Sequence, residues 1–251
     1  MPKQEVTMFS TDAIIRRGTV VLACALGLGG AAIAQTIVVK SSGPSAKSYP
    51  VGKSLAPGAK IVLAKGDSLT VLDSRGTRTL SGPGNFGAEA SSAAANQSFA
   101  SLVATQNRRR ARTGAVRTLG QRVLPPSLWF VDIERSATFC VADATAVQLW
   151  RPDMQQAAAL TITDQGGKSS NVAFAMGQNN VPWPVATLPI VDGHSYTLSG
   201  AGLAKPVKLR FAMLGAPVTD PVATYTALDG KGCGDQRDLL ITATSADETR
   251  S

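Results

Sequence analysis

The chain has 251 residues, of which 44% are apolar, 5% aromatic and 17% charged, with a formal net charge of +8 and one histidine. This composition excludes a collagen, a polytopic membrane protein and a wholly disordered chain. The 24 glycines and 14 prolines, with few aromatics, favour short strands joined by many turns over a helix bundle.

Residues 1–34 read as an export signal. Arg16 and Arg17 close a basic start, Gly18 to Ala31 is apolar and uncharged, and Ala32-Ile33-Ala34 ahead of Gln35 offers the small residues that a signal peptidase accepts. The expectation is general secretion with cleavage between Ala34 and Gln35, leaving the protein in the periplasm or secreted. An uncleaved anchor is one alternative, although glycine and alanine make up about half of the uncharged stretch Gly18 to Ala34, a poor spanning helix. Lipidation at Cys24, which follows Val21-Leu22-Ala23, is another. The Arg16-Arg17 pair also resembles a twin-arginine signal, without the hydrophobic residues usual after it.

Without residues 1–34, which hold three bases and two acids, the chain carries +7. Arg108, Arg109, Arg110, Arg112, Arg117 and Arg122 supply six of those charges in one acid-free stretch, so the remainder is expected to be nearly neutral. Cys24 leaves with the signal. Cys140 and Cys233 then remain in an oxidising compartment, where two cysteines most simply make one disulfide.

From Gln35 to Phe86, strands are predicted over Thr36 to Ser41, Lys60 to Ala64, Ser68 to Asp73 and Gly76 to Ser81, separated by Pro57-Gly58, Lys65-Gly66-Asp67 and Ser74-Arg75-Gly76. A β unit of this size buries a limited core and should lean on a neighbour. The run Val51-Gly52-Lys53-Ser54-Leu55, then Ile61 to Asp73, then Gly76 to Gly82 resembles the periplasmic FecR-like domain of proteobacterial envelope proteins. The likeness covers about a fifth of the chain. It implies a β-rich extracytoplasmic domain over residues 35–86. In signalling members of that family the domain is coupled to an inner-membrane span and a cytoplasmic region that binds a sigma factor; here about 17 residues precede the apolar segment.

Residues 87–126 read as an Ala/Ser- and Arg-rich linker, with a short helix possible from Ser98 to Arg112 because Phe99, Leu102 and Val103 share helical spacing. Beyond Pro126, apolar residues alternate at Trp129, Val131 and Ile133, at Val147 and Leu149, at Leu160 and Ile162, at Tyr196 and Leu198, and from Val207 to Met213. With Thr138 to Val141, Asn171 to Phe174 and Val185 to Leu188, these predict a larger antiparallel β-sandwich over residues 127–215. The immunoglobulin arrangement is an analogy only, since Cys233 lies after the last strand. Asp220 before Pro221 predicts a short helix ended by Gly230 and Gly232, and a second helix is expected from Asp235 to about Ala243, within a tail of residues 216–251.

The fold expectation is therefore mainly β: a small FecR-like domain, then an antiparallel sandwich and a short helical tail. Several residues invite chemical readings. His194 stands alone beside Asp192-Gly193 and reads as a strand start. Gly82-Pro83-Gly84-Asn85-Phe86-Gly87 matches a dinucleotide fingerprint in letters but lacks its strand-to-helix setting, and reads as a turn. Asp132 and Glu134 would share one strand face. Trp183, held between Pro182 and Pro184, is either a rigid platform for a sugar ring or a core plug. No catalytic, cofactor or metal site is expected. The functional expectation is a non-enzymatic envelope binding or scaffold protein, with a regulatory or sensor role in envelope signalling as the alternative. An envelope protein or cell-wall polymer is the expected partner, and Arg108, Arg109, Arg110 and Arg112 are candidates for contact with an anionic membrane surface. Nucleic acid is not expected, because no aromatics interleave these arginines.

Overall fold

The computed structural model describes residues 35–89, 96–104, 123–200, 202–215 and 218–245. The fold is mainly β, and the described residues belong to one compact unit. The N-terminal strands are β1 (Thr36–Ser42), β2 (Ser54–Leu55), β3 (Lys60–Leu63), β4 (Ser68–Asp73), β5 (Gly76–Ser81) and β6 (Gly84–Gly87). They make a four-stranded sheet in the order β2-β1-β4-β5 and a two-stranded ribbon of β3 and β6, all antiparallel. The β4–β5 hairpin follows from Ser74-Arg75-Gly76, whose chain reversal is held by the Arg75 N–H donating to the Asp73 carboxylate at 2.8 Å.

The short helix α1 (Asn96–Val103) comes next. The second half holds β7 (Phe130–Asp132), β8 (Ala137–Val141), β9 (Gln148–Trp150), β10 (Ala158–Asp164), β11 (Ser169–Phe174), β12 (Asn180–Pro182), β13 (Ser195–Gly200) and β14 (Val207–Met213). One sheet runs β11-β10-β13-β14-β8 and a second runs β12-β9-β7. Val131, Leu149 and Val181 from the smaller sheet meet Phe139, Leu160, Ile162, Leu198, Leu209 and Phe211 from the larger in a single buried cluster. This is the sandwich that the period-2 pattern predicts. The pairing departs from a purely antiparallel one at two places: β8 lies parallel to β14, and β7 parallel to β9. The chain steps from β7 in one sheet to β8 in the other without a hairpin, so neither strand pairs with its sequence neighbour.

Helices α2 (Pro221–Gly230) and α3 (Gly234–Ala243) follow. Asp220 caps α2 by accepting from Val222 and Ala223 N–H at 2.9 and 3.0 Å, and Pro221 fills the first turn, where its missing N–H costs nothing. Between the N-terminal sheet and the sandwich lies a third cluster that draws on both: Ile37, Val39 and Leu72 from β1 and β4, Phe99 and Leu102 from α1, Cys140 and Ala212 from β8 and β14, and Val222, Tyr225, Leu228, Leu239 and Leu240 from the helices. The strand period explains this layering. Val38 faces the N-terminal unit's own core while Ile37 and Val39 face the helices. Phe139 and Val141 likewise face the sandwich while Cys140 turns to the helices. The small β unit leans on its neighbour as its size requires.

Two local expectations are corrected. Val185 to Leu188 is a turn, in which Thr187 and Leu188 N–H groups both donate to the Pro184 carbonyl, and the strand is Asn180–Pro182 instead; Pro184 has no N–H to donate to a ladder, and its carbonyl is taken by the turn. Four of the six residues from Gly82 to Gly87, expected as a turn, are strand, since β6 begins at Gly84. The short helix expected within the linker is present as Asn96–Val103, starting two residues before Ser98, with residues 105–112 outside the described ones; it buries Phe99 and Leu102, and its end carbonyls accept from Leu128 N–H and Trp129 Nε1 at 3.1 and 2.8 Å.

Candidate functional site

The expected disulfide is present, joining Cys140 and Cys233 across 93 residues with both cysteines fully buried. Cys140 lies in β8, an edge strand of the larger sheet, and Cys233 immediately precedes α3. Gln236, in the first turn of that helix, donates from Nε2 to the Leu128 and Cys140 carbonyls at 2.8 and 2.9 Å and accepts the Cys140 N–H through Oε1 at 2.6 Å. The sequence marked the cysteines and gave no sign of Gln236, because a glutamine outside any motif reads as an ordinary helical residue.

A shallow cleft of about 450 Å³, open solvent included, lies beside this hub among Phe130, Phe139, Leu209, Arg135, Asp235 and Leu239. Arg135 and Asp235 pair across it at 2.9 Å, with both side chains substantially exposed, so the pair is worth about 1 kcal/mol or less. Asp132 also lines the cleft, so its charged lining is two acids and one base among mostly apolar side chains. Among the described residues no group of three or more His, Cys, Asp or Glu side chains is placed to hold a metal ion.

The residues that invited chemical readings are engaged in the backbone. Asp132 ends β7 and its carboxylate accepts the Glu134 N–H at 3.0 Å, so the two acids form a turn and do not share one strand face. His194 lies in the turn before β13, where its N–H donates to the Val191 carbonyl and its own carbonyl accepts the Phe211 N–H. Trp183 is the core plug. It is 2% exposed, its Nε1 donates to the Leu188 carbonyl at 2.8 Å, and its ring packs edge-on against Tyr196 and Phe211 at 5.1 and 4.9 Å. No sugar ring can stack on it there.

Charge is distributed less evenly than the near-neutral remainder expected from the sequence. Residues 35–89 carry Lys40, Lys47, Lys53, Lys60, Lys65, Arg75 and Arg78 against Asp67, Asp73 and Glu89, while residues 123–251 carry nine bases and twelve acids. Two of the three N-terminal acids, Asp67 and Asp73, are buried at 4% exposure each. Asp67 accepts the Ser45 and Ala64 N–H groups at 2.8 and 2.5 Å. Hydrogen bonding by Ser45, through its side chain and then its backbone, with a smaller part from Ala64, holds this carboxyl below its ordinary range against the opposing effect of burial. Gly43 permits this approach, for a Cβ there would stand 2.5 Å from the Asp67 carboxylate and its φ is +99°. Arg78 is also turned inward, with Nη2 donating to the Gly87 and Ala88 carbonyls, and burial lowers its pKa. The five lysines are all exposed.

Arg108, Arg109, Arg110, Arg112 and Ala34 lie outside the described residues, as does the rest of the expected export signal. Gln35 is exposed at the start of β1 and donates to the Ser54 hydroxyl. Among the described residues no helix is long and apolar enough to cross a membrane. The chain matches no protein-family model, no curated protein and no solved structure.

Proposed function

We propose that this chain is a non-enzymatic binding or scaffold protein of the cell envelope, working in the periplasm after export through residues 1–34. The observation that carries this reading is the segregation of charge in the N-terminal unit. Two of its three acids, Asp67 and Asp73, are buried and accept backbone N–H groups, while its five lysines are exposed, so the outward field of this unit is basic, of the same sign as the run Arg108 to Arg112 in the sequence. A fully buried disulfide fits an oxidising compartment.

A pull-down from envelope extracts, run beside isolated cell wall and anionic vesicles, tests it. Salt-sensitive retention on wall or vesicles is the expected result. Capture of one inner-membrane signalling protein, with no retention on wall or vesicles, favours the sensor role that the FecR-like resemblance implies. Turnover of a wall substrate contradicts the non-enzymatic reading.

A further inference from the structure

We infer that the loop from Gly43 to Lys53 and the outward face of β3 together form a docking surface for an anionic lipid bilayer. The inference rests on the envelope-binding reading and names the partner. Tyr49 joins the two segments: its hydroxyl accepts the Val62 N–H at 2.9 Å and donates to the Val62 carbonyl. The loop therefore lies along the free edge of β3, and Tyr49 occupies the backbone groups with which another strand would pair. What this face offers is side chains.

Those side chains are of two kinds. Lys60 and Val62 stand on the outward face of β3, alternating with buried Ile61 and Leu63. Lys65 follows in the turn, and Lys47 and Lys53 flank Tyr49 on the loop. Lys53 Nζ sits 5.4 Å over the Tyr49 ring and donates to the Ser48 carbonyl at 2.7 Å. Val51 and Val62 are 58% and 59% exposed, among the largest exposures of any big apolar residue in the described chain. Asp67, the nearest acid in sequence, is turned into the fold, and Glu89, exposed two residues after the β6 partner of Lys60, is one acid against these four lysines. Four lysines around two exposed valines and a tyrosine make a mixed basic and apolar patch.

The mixture decides between ligands. A polyanionic wall polymer is held by charge alone and leaves exposed valines without a partner. A bilayer with anionic headgroups takes the lysines at the phosphate level and the apolar side chains at the acyl boundary, with tyrosine suited to the interface between them. Two valines bury too little area to hold a protein by themselves, and the lysines supply the rest at roughly fivefold in affinity each.

The test is co-sedimentation of the protein as exported with vesicles of phosphatidylglycerol and phosphatidylethanolamine, against phosphatidylcholine vesicles and isolated cell wall. The protein is compared with K47S/K53S/K60S/K65S and with V51S/V62S, after thermal unfolding confirms that each variant keeps its transition. Wild-type protein is expected on the anionic vesicles alone, weakened roughly 100-fold or more by the lysine variant and by a smaller but measurable factor by the valine variant. Adsorption unaltered by either variant overturns the inference and moves the contact to another segment. Loss with the lysine variant but none with the valine variant also overturns it, leaving charge without insertion. Binding to wall and not to vesicles overturns the lipid assignment and leaves the envelope-binding reading standing. Binding to neither removes both.

Discussion

The side-chain amide of Gln236 pairs with the backbone of Cys140 as a neighbouring strand would, accepting its N–H and donating to its carbonyl. β8 is an edge strand of the larger sheet, and its partner β14 lies on one side only. The open side of Cys140 is therefore closed by a helix, three residues after the cysteine to which Cys140 is bonded. One covalent and three hydrogen bonds converge there, all buried.

Replacing Gln236 with alanine leaves the Cys140 N–H and the Cys140 and Leu128 carbonyls buried without partners. A cost of about 2–3 kcal/mol is expected in urea unfolding. Gln236→Glu should cost more at neutral pH, because a carboxylate oxygen would then face two carbonyl oxygens. The penalty should shrink as that carboxyl is protonated at lower pH.

Cys140→Ser with Cys233→Ser should lower stability by about 2–4 kcal/mol, the usual contribution of a disulfide closing a long loop. Because both cysteines are fully buried, reductant added to the folded protein should act only as fast as the structure opens. Thiol labelling under native conditions checks this against the unfolding rate.

Asp67 gives a pH dependence of definite sign. Its folded pKa lies below the ordinary 3.8, so its contribution is fully present above the unfolded value and is lost as pH falls through the lower folded value. Asp67→Asn should be destabilised at pH 7, where an amide replaces one of the two accepting oxygens. The gap between mutant and wild type should begin to narrow below about pH 4 and close only once the pH is under the lower folded value.

Trp183→Ala should destabilise the sandwich by about 3–5 kcal/mol, as for large aromatic deletions in cores. Titration with soluble glycans should leave tryptophan fluorescence unchanged if Trp183 is the core plug.

The strands with alternating apolar residues and firm turns were legible in the sequence. Ser68–Asp73, Gly76–Ser81 and Val207–Met213 have the predicted bounds, because the first two combine β-branched residues with glycine, serine or aspartate at their ends and the third alternates apolar and largely polar positions after Pro206. The helix at Pro221 was announced by its cap. The parallel pairings were not legible, since periodicity tells which face a residue takes and nothing of which strand lies beside it. Val185 misled because one β-branched residue counts for less than Pro184, which lacks a donor and whose carbonyl closes the turn. The basic face of the N-terminal unit was hidden by addition: its surplus of bases cancels against the acids of the second half when the two are summed, and burial of Asp67 and Asp73 sharpens it.

Chemical-shift mapping of the 15N-labelled protein titrated with bicelles containing phosphatidylglycerol is the most direct measurement of the central claim, that this face is the envelope contact. The expected result is a contiguous set of shifted amides from Lys47 to Lys53 and from Lys60 to Lys65, reversed by salt as charge is screened over about 8–10 Å. Shifts confined to the sandwich strands, or none along Lys47 to Lys65, would contradict it.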